Sequence, residues 1–450
     1  MKYRVPRGTQ DILPPESSVW RGVEEVARVL LERFGYSEIR TPVFEMKDLF
    51  LRTVGEETDI VQKEMYTFAD RKGRELALRP EGTAPVIRSY VENSLWKDNR
   101  FLKLYYMGPM FRYDRPQKGR YRQFHQIGAE AVGSLSPAVD AEVIAMVEMI
   151  LRAAGIRRLT VRINSLGEAE SRANYTSALK DYFGAVRDRL CSDCNTRLER
   201  NPMRLLDCKV PSCRELAADI PPIEDYLSPE SSEHYAQVQE KLAQLGVNYE
   251  KDKHMVRGLD YYTRTTFEFY HGELGGSVAL GGGGRYDSLV EEIGGPDTPA
   301  IGFSLGTERV LLAAERDRQS ARDVPRDRSM IYLAWIGEKA GEAAFRLAAA
   351  LRLAVRVELE LESRSLKAQF RQADKLGAGY VMIIGERELA EGKVQLKDLT
   401  SGGQRELTLA GLAEFIEQEI KSHRMDESPH GRIDRILGGQ LDEALASLQF

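Results

Sequence analysis

Between residues 65 and 133 the chain reads as one strand after another. Met65–Ala69, Glu75–Arg79, Leu102–Phe111 and Gln123–Val132 carry the β-branched, aromatic and alternating apolar residues that strands favour. Only a short helical pattern, near Ala84–Asn93, interrupts them. Strands grouped in this way argue for an antiparallel sheet and against a strand–helix–strand repeat. The first expectation is therefore an α+β unit on an antiparallel sheet.

Ahead of that run, Val19, Val23, Val26, Leu30 and Phe34 recur at three- and four-residue spacing. The spacing predicts a helix opened by Ser17 or Ser18 and closed by Gly35. Glu38–Phe44 reads as a strand whose Pro42 cannot donate to a ladder, which favours a sheet edge or packing boundary. A helix near 138–154 and a strand near Leu159–Asn164 follow. Residues 170–250 are helical in pattern and hold all four cysteines, as an insertion would. Strands resume at Tyr261–Tyr270 and Ser277–Leu280, and a helix near Thr307–Ala314 ends this part. Glu315–Ser329 is hydrophilic and reads as a linker.

Beyond the linker the pattern changes to alternation. Met330–Ile336, Val355–Leu361 and Tyr380–Gly385 read as strands separated by helices at Glu338–Ala354 and Leu366–Leu376. Strands at Lys393–Leu399 and Gln404–Leu409 and a helix at Ala410–Ile420 complete a small α/β domain. The expected division is an α+β domain over 1–325, a helical insertion at 170–250 within it, an α/β domain at 330–420 and an appendage at 421–450.

Composition bounds the function. With 42% apolar and 30% charged residues, 450 residues suffice for full cores and do not read as a disordered chain. No stretch of about 18 uncharged apolar residues occurs, so no spanning helix is expected. Met1–Pro6 lacks an apolar signal core, and a cytoplasmic protein without a membrane partner is the expectation. A net charge of −5 does not advertise a nucleic-acid binder, yet phosphate contacts need only a local basic patch.

Such a patch exists. Phe111–Gln126 holds Arg112, Arg115, Lys118, Arg120 and Arg122 around a Pro/Gly loop, as in a hairpin. A cationic hairpin suits a triphosphate, and Phe124 can stack on a base. Arg122, Phe124 and Gln126 alternate onto one strand face, whereas His125 points to the other and is read as structural. Leu78–Ala84 places Glu81 and Thr83 at a helix start, which a turn capped by Thr83 would also explain. Val256–Thr265 reads equally as a hairpin edge. Gly281–Gly284 let backbone approach a ligand but match neither a P-loop nor a dinucleotide fingerprint. Cys191, Cys194, Cys208 and Cys213 are spaced C-x2-C-x13-C-x4-C. That spacing fits a structural zinc site and also fits incidental thiols in an insertion; both readings stay open.

Taken in order, these segments resemble the histidyl-tRNA synthetases, class II aminoacyl-tRNA synthetases, over residues 1–420. Pro6–Asp11 and Arg40–Glu45 look like the family's N-terminal and first class-defining motifs, Phe111–Gln126 its second and Gly302–Arg309 its third. Leu78–Ala84 and Val256–Thr263 look like its two histidine motifs. The resemblance implies attachment of L-histidine to tRNA(His) through a histidyl-adenylate, with ATP and Mg²⁺ as substrate, and a homodimer. It assigns Arg112 and Arg257 to catalysis at the α-phosphate and carboxylate. Arg120, Phe124 and Arg309 are expected at ATP. Glu81, Thr83 and Gln126 are expected at the α-amino group, with Glu130, Tyr261 and Tyr262 at the imidazole. Asp114 departs from the family's usual Glu. Residues 330–420 match the anticodon-binding domain in order and size, and Lys367, Arg371 and Lys375 share a helix face there. Paralogues that regulate histidine biosynthesis would lack the Val256–Thr263 motif and the C-terminal domain, both of which are in this chain. A class II synthetase for another amino acid remains the other enzyme reading.

Overall fold

The computed structural model describes residues 3–55, 58–256, 258–274, 278–317 and 327–420. Arg257, residues 318–326 of the expected linker and the appendage 421–450 lie outside the described residues. Two compact units result, 1–318 and 319–450.

The first unit is built on strands β1 (Ser37–Glu38), β2 (Phe44–Met46), β3 (Thr67–Ala69), β4 (Glu75–Leu78), β5 (Leu102–Phe111), β6 (Gln123–Val132), β7 (Leu159–Ser165), β8 (Glu250–Lys251), β9 (Thr263–His271), β10 (Ala279–Arg285) and β11 (Ala300–Gly306). Eight form one sheet in the order β1-β5-β6-β11-β10-β9-β7-β8. Its six inner strands pair antiparallel throughout; the two-residue edges β1 and β8 pair parallel. The helix Pro137–Ala153 packs beside the helices Glu16–Arg33 and Pro229–Gln244. Most of its apolar side chains are buried, and Ser136 caps it by accepting from Ala138 N, an interaction worth about 1 kcal/mol.

Several local expectations change. Ser17 and Ser18 do not cap the first helix, which begins at Glu16 after Pro15 without a side-chain cap. Gly35 does end it, at φ +81°. Glu38–Phe44 is not one strand: β1 ends at Glu38, and β2 joins a separate three-stranded sheet, β2-β4-β3. Pro42 lies exposed in the connection, where its missing N–H costs nothing. The four glycines belong to β10 itself, running between β9 and β11. A Cβ at Gly281 or Gly283 would collide with backbone of β11, so close strand approach explains those residues first. The expected linker starts late, because the last helix continues to Asp317. Asp317 is buried and accepts from Arg157 N at 2.7 Å and Arg158 Nε at 2.6 Å. Burial alone would raise its pKa, but these donors hold the carboxyl far below its usual range.

Within 170–250 four helices form, Ala169–Gly184, Ser192–Arg200, Pro211–Ala217 and Pro229–Gln244. The second unit holds β12 (Asp327–Trp335), β13 (Arg356–Leu359), β14 (Ala378–Ile384), β15 (Lys393–Asp398) and β16 (Gln404–Thr408), in the order β13-β12-β14-β15-β16. Apolar residues cover both faces of this sheet: Ala340, Ala344 and Phe415 in one cluster, Ala373 and Phe370 in the other. Lys367, Arg371 and Lys375 are exposed on the helix Leu366–Leu376.

Candidate active site

A cleft of about 380 Å³ opens where the β5–β6 hairpin, the Ala279 end of β10 and the start of the helix Thr307–Asp317 meet. Arg112, Arg120, Phe124 and Arg309 line it. Arg112 donates Nε to Pro80 O at 2.8 Å, and its guanidinium sits 5.3 Å from the Phe124 ring centre. Arg309 donates Nε to Gly119 O at 3.0 Å and Nη1 to Ala279 O at 2.7 Å. Backbone carbonyls thus fix both forks, and carboxylates act on them through space: Glu64 and Glu81 on Arg112, Glu268 on Arg309. Burial lowers the pKa of both guanidinium groups, and for Arg309 the charges of Arg120 and Arg112 act in the same direction. Arginine stays charged regardless, so like charges are confined together; an incoming anion relieves that repulsion. Asp114, also in the lining, offsets part of it through an ion pair with Arg120 at 3.3 Å.

Acidic, amide and hydroxyl groups share the lining: Glu81, Thr83, Gln126, Tyr261 and Tyr262. Glu81, not Thr83, secures the helix Thr83–Glu92: its carboxylate accepts from Thr83 N at 2.7 Å and Ala84 N at 2.9 Å. Thr83 instead donates its hydroxyl to Glu130 Oε1 at 2.8 Å. Gln126 donates Nε2 to Ser304 Oγ at 3.3 Å, while its Oε1 is buried without a hydrogen-bond partner among the described residues. An orphaned acceptor of this kind wants a donor from a ligand.

Glu130 is not a lining residue. It is fully buried on β6 opposite Gly302, below Thr83, with Tyr286 Oη donating to its second oxygen. Gly302 makes this possible, since a Cβ there would fall on the Glu130 carboxylate. Burial pushes Glu130 up to about 8 despite the Tyr286 and Thr83 hydroxyls. The rings of Tyr261 and Tyr262 lie 4.7 Å apart, and Tyr261 meets Tyr286 edge-on at 5.6 Å.

His125 faces away, as expected, with its ring 4.9 Å from Trp20 and Nδ1 3.1 Å from Glu308. Arg122 leaves the expected face: it stacks on Tyr113 at 3.8 Å, and it is absent from the lining. Sequence reading did not single out Tyr286 or Ser304 for the site. It also missed the insertion's grip on the Tyr261–Tyr262 loop. Arg172 donates Nη1 to Asp260 O at 3.2 Å and Tyr262 O at 3.0 Å. Asn201 meets Asp260 Oδ1 at 3.2 Å, and Arg204 meets Asp59 Oδ2 at 2.7 Å. No local pattern announces contacts between segments this far apart in sequence.

This antiparallel sheet, with arginines on a hairpin and on the helix after its last strand, is that of a class II aminoacyl-tRNA synthetase. The histidyl-tRNA synthetase family model matches residues 8–188 and 210–310, and the anticodon binding domain matches 330–419. The histidine–tRNA ligase of Syntrophotalea carbinolica is 47% identical over 418 residues, 93% of this chain and 99% of that protein. That of Geobacillus kaustophilus is 49% identical over 425 residues, with 93% and 99% covered. Apo histidyl-tRNA synthetase of S. aureus superposes with a TM-score of 0.76 at 40% identity, over 92% of this chain and 100% of that one. A regulatory subunit/histidyl-tRNA synthetase from Bacillus halodurans C shares the fold at a TM-score of 0.62 and 22% identity. The chain belongs to the histidyl-tRNA synthetase family.

Proposed function

We infer that the chain joins L-histidine to tRNA(His) in two steps. The histidine carboxylate attacks the α-phosphate of ATP, giving histidyl-adenylate and pyrophosphate; the tRNA terminus then takes the histidyl group and AMP leaves. The carboxylate is already ionised at neutral pH, so the barrier lies in bringing two anions together and stabilising charge at phosphorus. One observation carries this reading: several guanidinium groups, the buried Glu81 carboxyl and the orphaned Gln126 amide oxygen line one cleft.

In this reading Arg112 bridges the α-phosphate and carboxylate, and Arg257 serves the same groups. Arg309 and Arg120 take the outer phosphates, and the adenine stacks against Phe124. Mg²⁺ arrives with ATP, held mostly through phosphate oxygens. Glu81, Thr83 and the Gln126 carbonyl receive the α-ammonium. Tyr261, Tyr262 and, one layer down, Glu130 read the imidazole, whose two nitrogens need a donor and an acceptor. Residues 330–419 meet the anticodon. Among the described residues no helix is long and apolar enough to cross a membrane. In this reading the reaction runs in the cytoplasm, where its tRNA is used. The small sheet leaves Phe44 and Phe68 nearly half exposed, which supports a homodimer through this face; a monomeric mass in solution at micromolar concentration would refute it.

Histidine-dependent ATP–pyrophosphate exchange tests the reading, followed by charging of tRNA(His) transcripts. Exchange with histidine alone is expected. No exchange would favour a regulatory role on the shared fold, and exchange with another amino acid would move the specificity.

A further inference from the structure

We propose that Cys191, Cys194, Cys208 and Cys213 hold one Zn²⁺ as a closed four-thiolate site that fastens the helical insertion. Three stretches of chain bring the sulfurs together. Cys191 precedes the helix Ser192–Arg200, Cys194 lies in its first turn, Cys208 follows the turn Pro202–Leu205, and Cys213 sits in the helix Pro211–Ala217. All four Sγ atoms lie within 4.8 Å of one another, and three of the cysteines are buried. Tetrahedral zinc with bonds of about 2.3 Å sets its sulfurs roughly 3.8 Å apart. Cys191 and Cys208 already stand at 3.9 Å.

Thiols that merely fill a core have no reason to aim at a common point. Leu198, Leu205 and Leu216 pack in the same buried cluster, so apolar filling is available without them. All four cysteines are free, and 3.9 Å is far beyond a disulfide bond of about 2.05 Å. Backbone N–H groups are also aimed at the sulfurs: Cys194 N lies 3.4 Å from Cys191 Sγ, and Cys191 N lies 3.3 Å from Cys213 Sγ. N–H groups placed in this way suit the outer shell of metal-bound sulfurs. Zinc binding would release the four thiol protons and leave four sulfurs on one cation. Protein ligands fill every position, so the site is structural, without room for a reacting water. The family model leaves 189–209 unmatched, and Cys191, Cys194 and Cys208 fall within that stretch.

The metal's place explains a second observation. The ligands flank the Asn201–Arg204 turn, and its two end residues reach Asp260 and Asp59 beside the cleft. Zinc thus sets the turn that braces the Tyr261–Tyr262 loop.

The test uses the full chain, expressed with zinc in the medium and purified without chelator. Elemental analysis is expected to give about one zinc per chain. Protein grown with Co²⁺ instead should show the visible bands of tetrahedral cobalt and the ultraviolet sulfur-to-cobalt charge transfer of four thiolates. Cys208→Ser and Cys213→Ser should each lose most of the metal and raise KM for histidine more than KM for ATP. Where a serine variant fails to fold, the cobalt spectrum of the unaltered chain decides. Folded, active protein without zinc, without cobalt bands, and with four freely titrating thiols would overturn the proposal.

Discussion

Strand β10 has an arginine environment at each end, and the two differ in charge balance. At its C-terminal end Arg285 is fully buried, 2.7 Å from Asp140 and 3.1 Å from Asp287, with Ser134 O and Ser136 O taking further donors. At the other end Arg309 spends its hydrogen bonds on carbonyls and confronts Arg112 and Arg120. Both arginines are largely removed from water. Arg285 is hydrogen-bonded to carboxylates; around Arg309 the arginines outweigh the more distant Glu268 and Asp114, an imbalance that would favour an anion. Burial of a charge therefore does not mark a site, whereas burial without a matching countercharge does.

This contrast can be broken experimentally. Arg309→Ala should lower histidine-dependent exchange by about a thousandfold, as loss of a preorganised charge does, while thermal stability stays level or rises. A stability loss without an activity loss would invert the contrast. Arg285→Met should do the opposite, costing roughly 3 kcal/mol in urea unfolding because Asp140 is left buried and uncompensated. Exchange per folded molecule should change only a few-fold, and unchanged stability would refute the balanced reading.

Glu130→Gln sharpens the acidic part of the comparison. Loss of one buried hydrogen-bonding group should lower kcat/KM for histidine by roughly 10- to 100-fold. Its pH signature has a definite sign. Glu130 keeps its proton in the fold up to about 8 but loses it near 4.5 when unfolded. That contribution to stability is full below 4.5 and disappears as pH rises through about 8. The difference in unfolding free energy between native protein and Glu130→Gln should shift steadily over that window; a flat difference would mean the carboxyl is ionised in the fold. The smallest effect belongs to His234, 3.6 Å from Asp140, whose pKa is drawn down to about 4 by burial and then by Arg285 and Arg264. The fold excludes a proton that the unfolded chain accepts below 6.5, so stability should fall as pH drops from 6.5 to 4. His234→Asn should flatten that part of the curve.

The larger architecture was legible because strand grouping in 65–133 and alternation after 330 are local patterns. The hairpin Phe111–Gln126 could be read for the same reason: a cationic loop between two strands is visible in one stretch of sequence. Arg122 could not be assigned, because Tyr113 competes for its guanidinium. The role of Thr83 was half legible. A helix start was evident, but Glu81 wins the backbone donors through its longer arm and charge, which frees the threonine hydroxyl for Glu130. The glycines of β10 pointed toward a ligand; Gly281 and Gly282 do line the cleft, yet at Gly281 and Gly283 contact with β11 already forbids a side chain. Arg172 and Tyr286 act across distances in sequence that no periodicity spans.

Gly302 carries a consequence for how this enzyme can diverge. The Glu130 carboxyl on β6 occupies volume that every other amino acid at 302 would claim for itself. Even a methyl group at 302 would evict the acid from its berth and withdraw the acceptor beneath the Thr83 hydroxyl. A lineage drifting toward another substrate could therefore start at this position, on the neighbouring strand, with every residue that lines the cleft left intact.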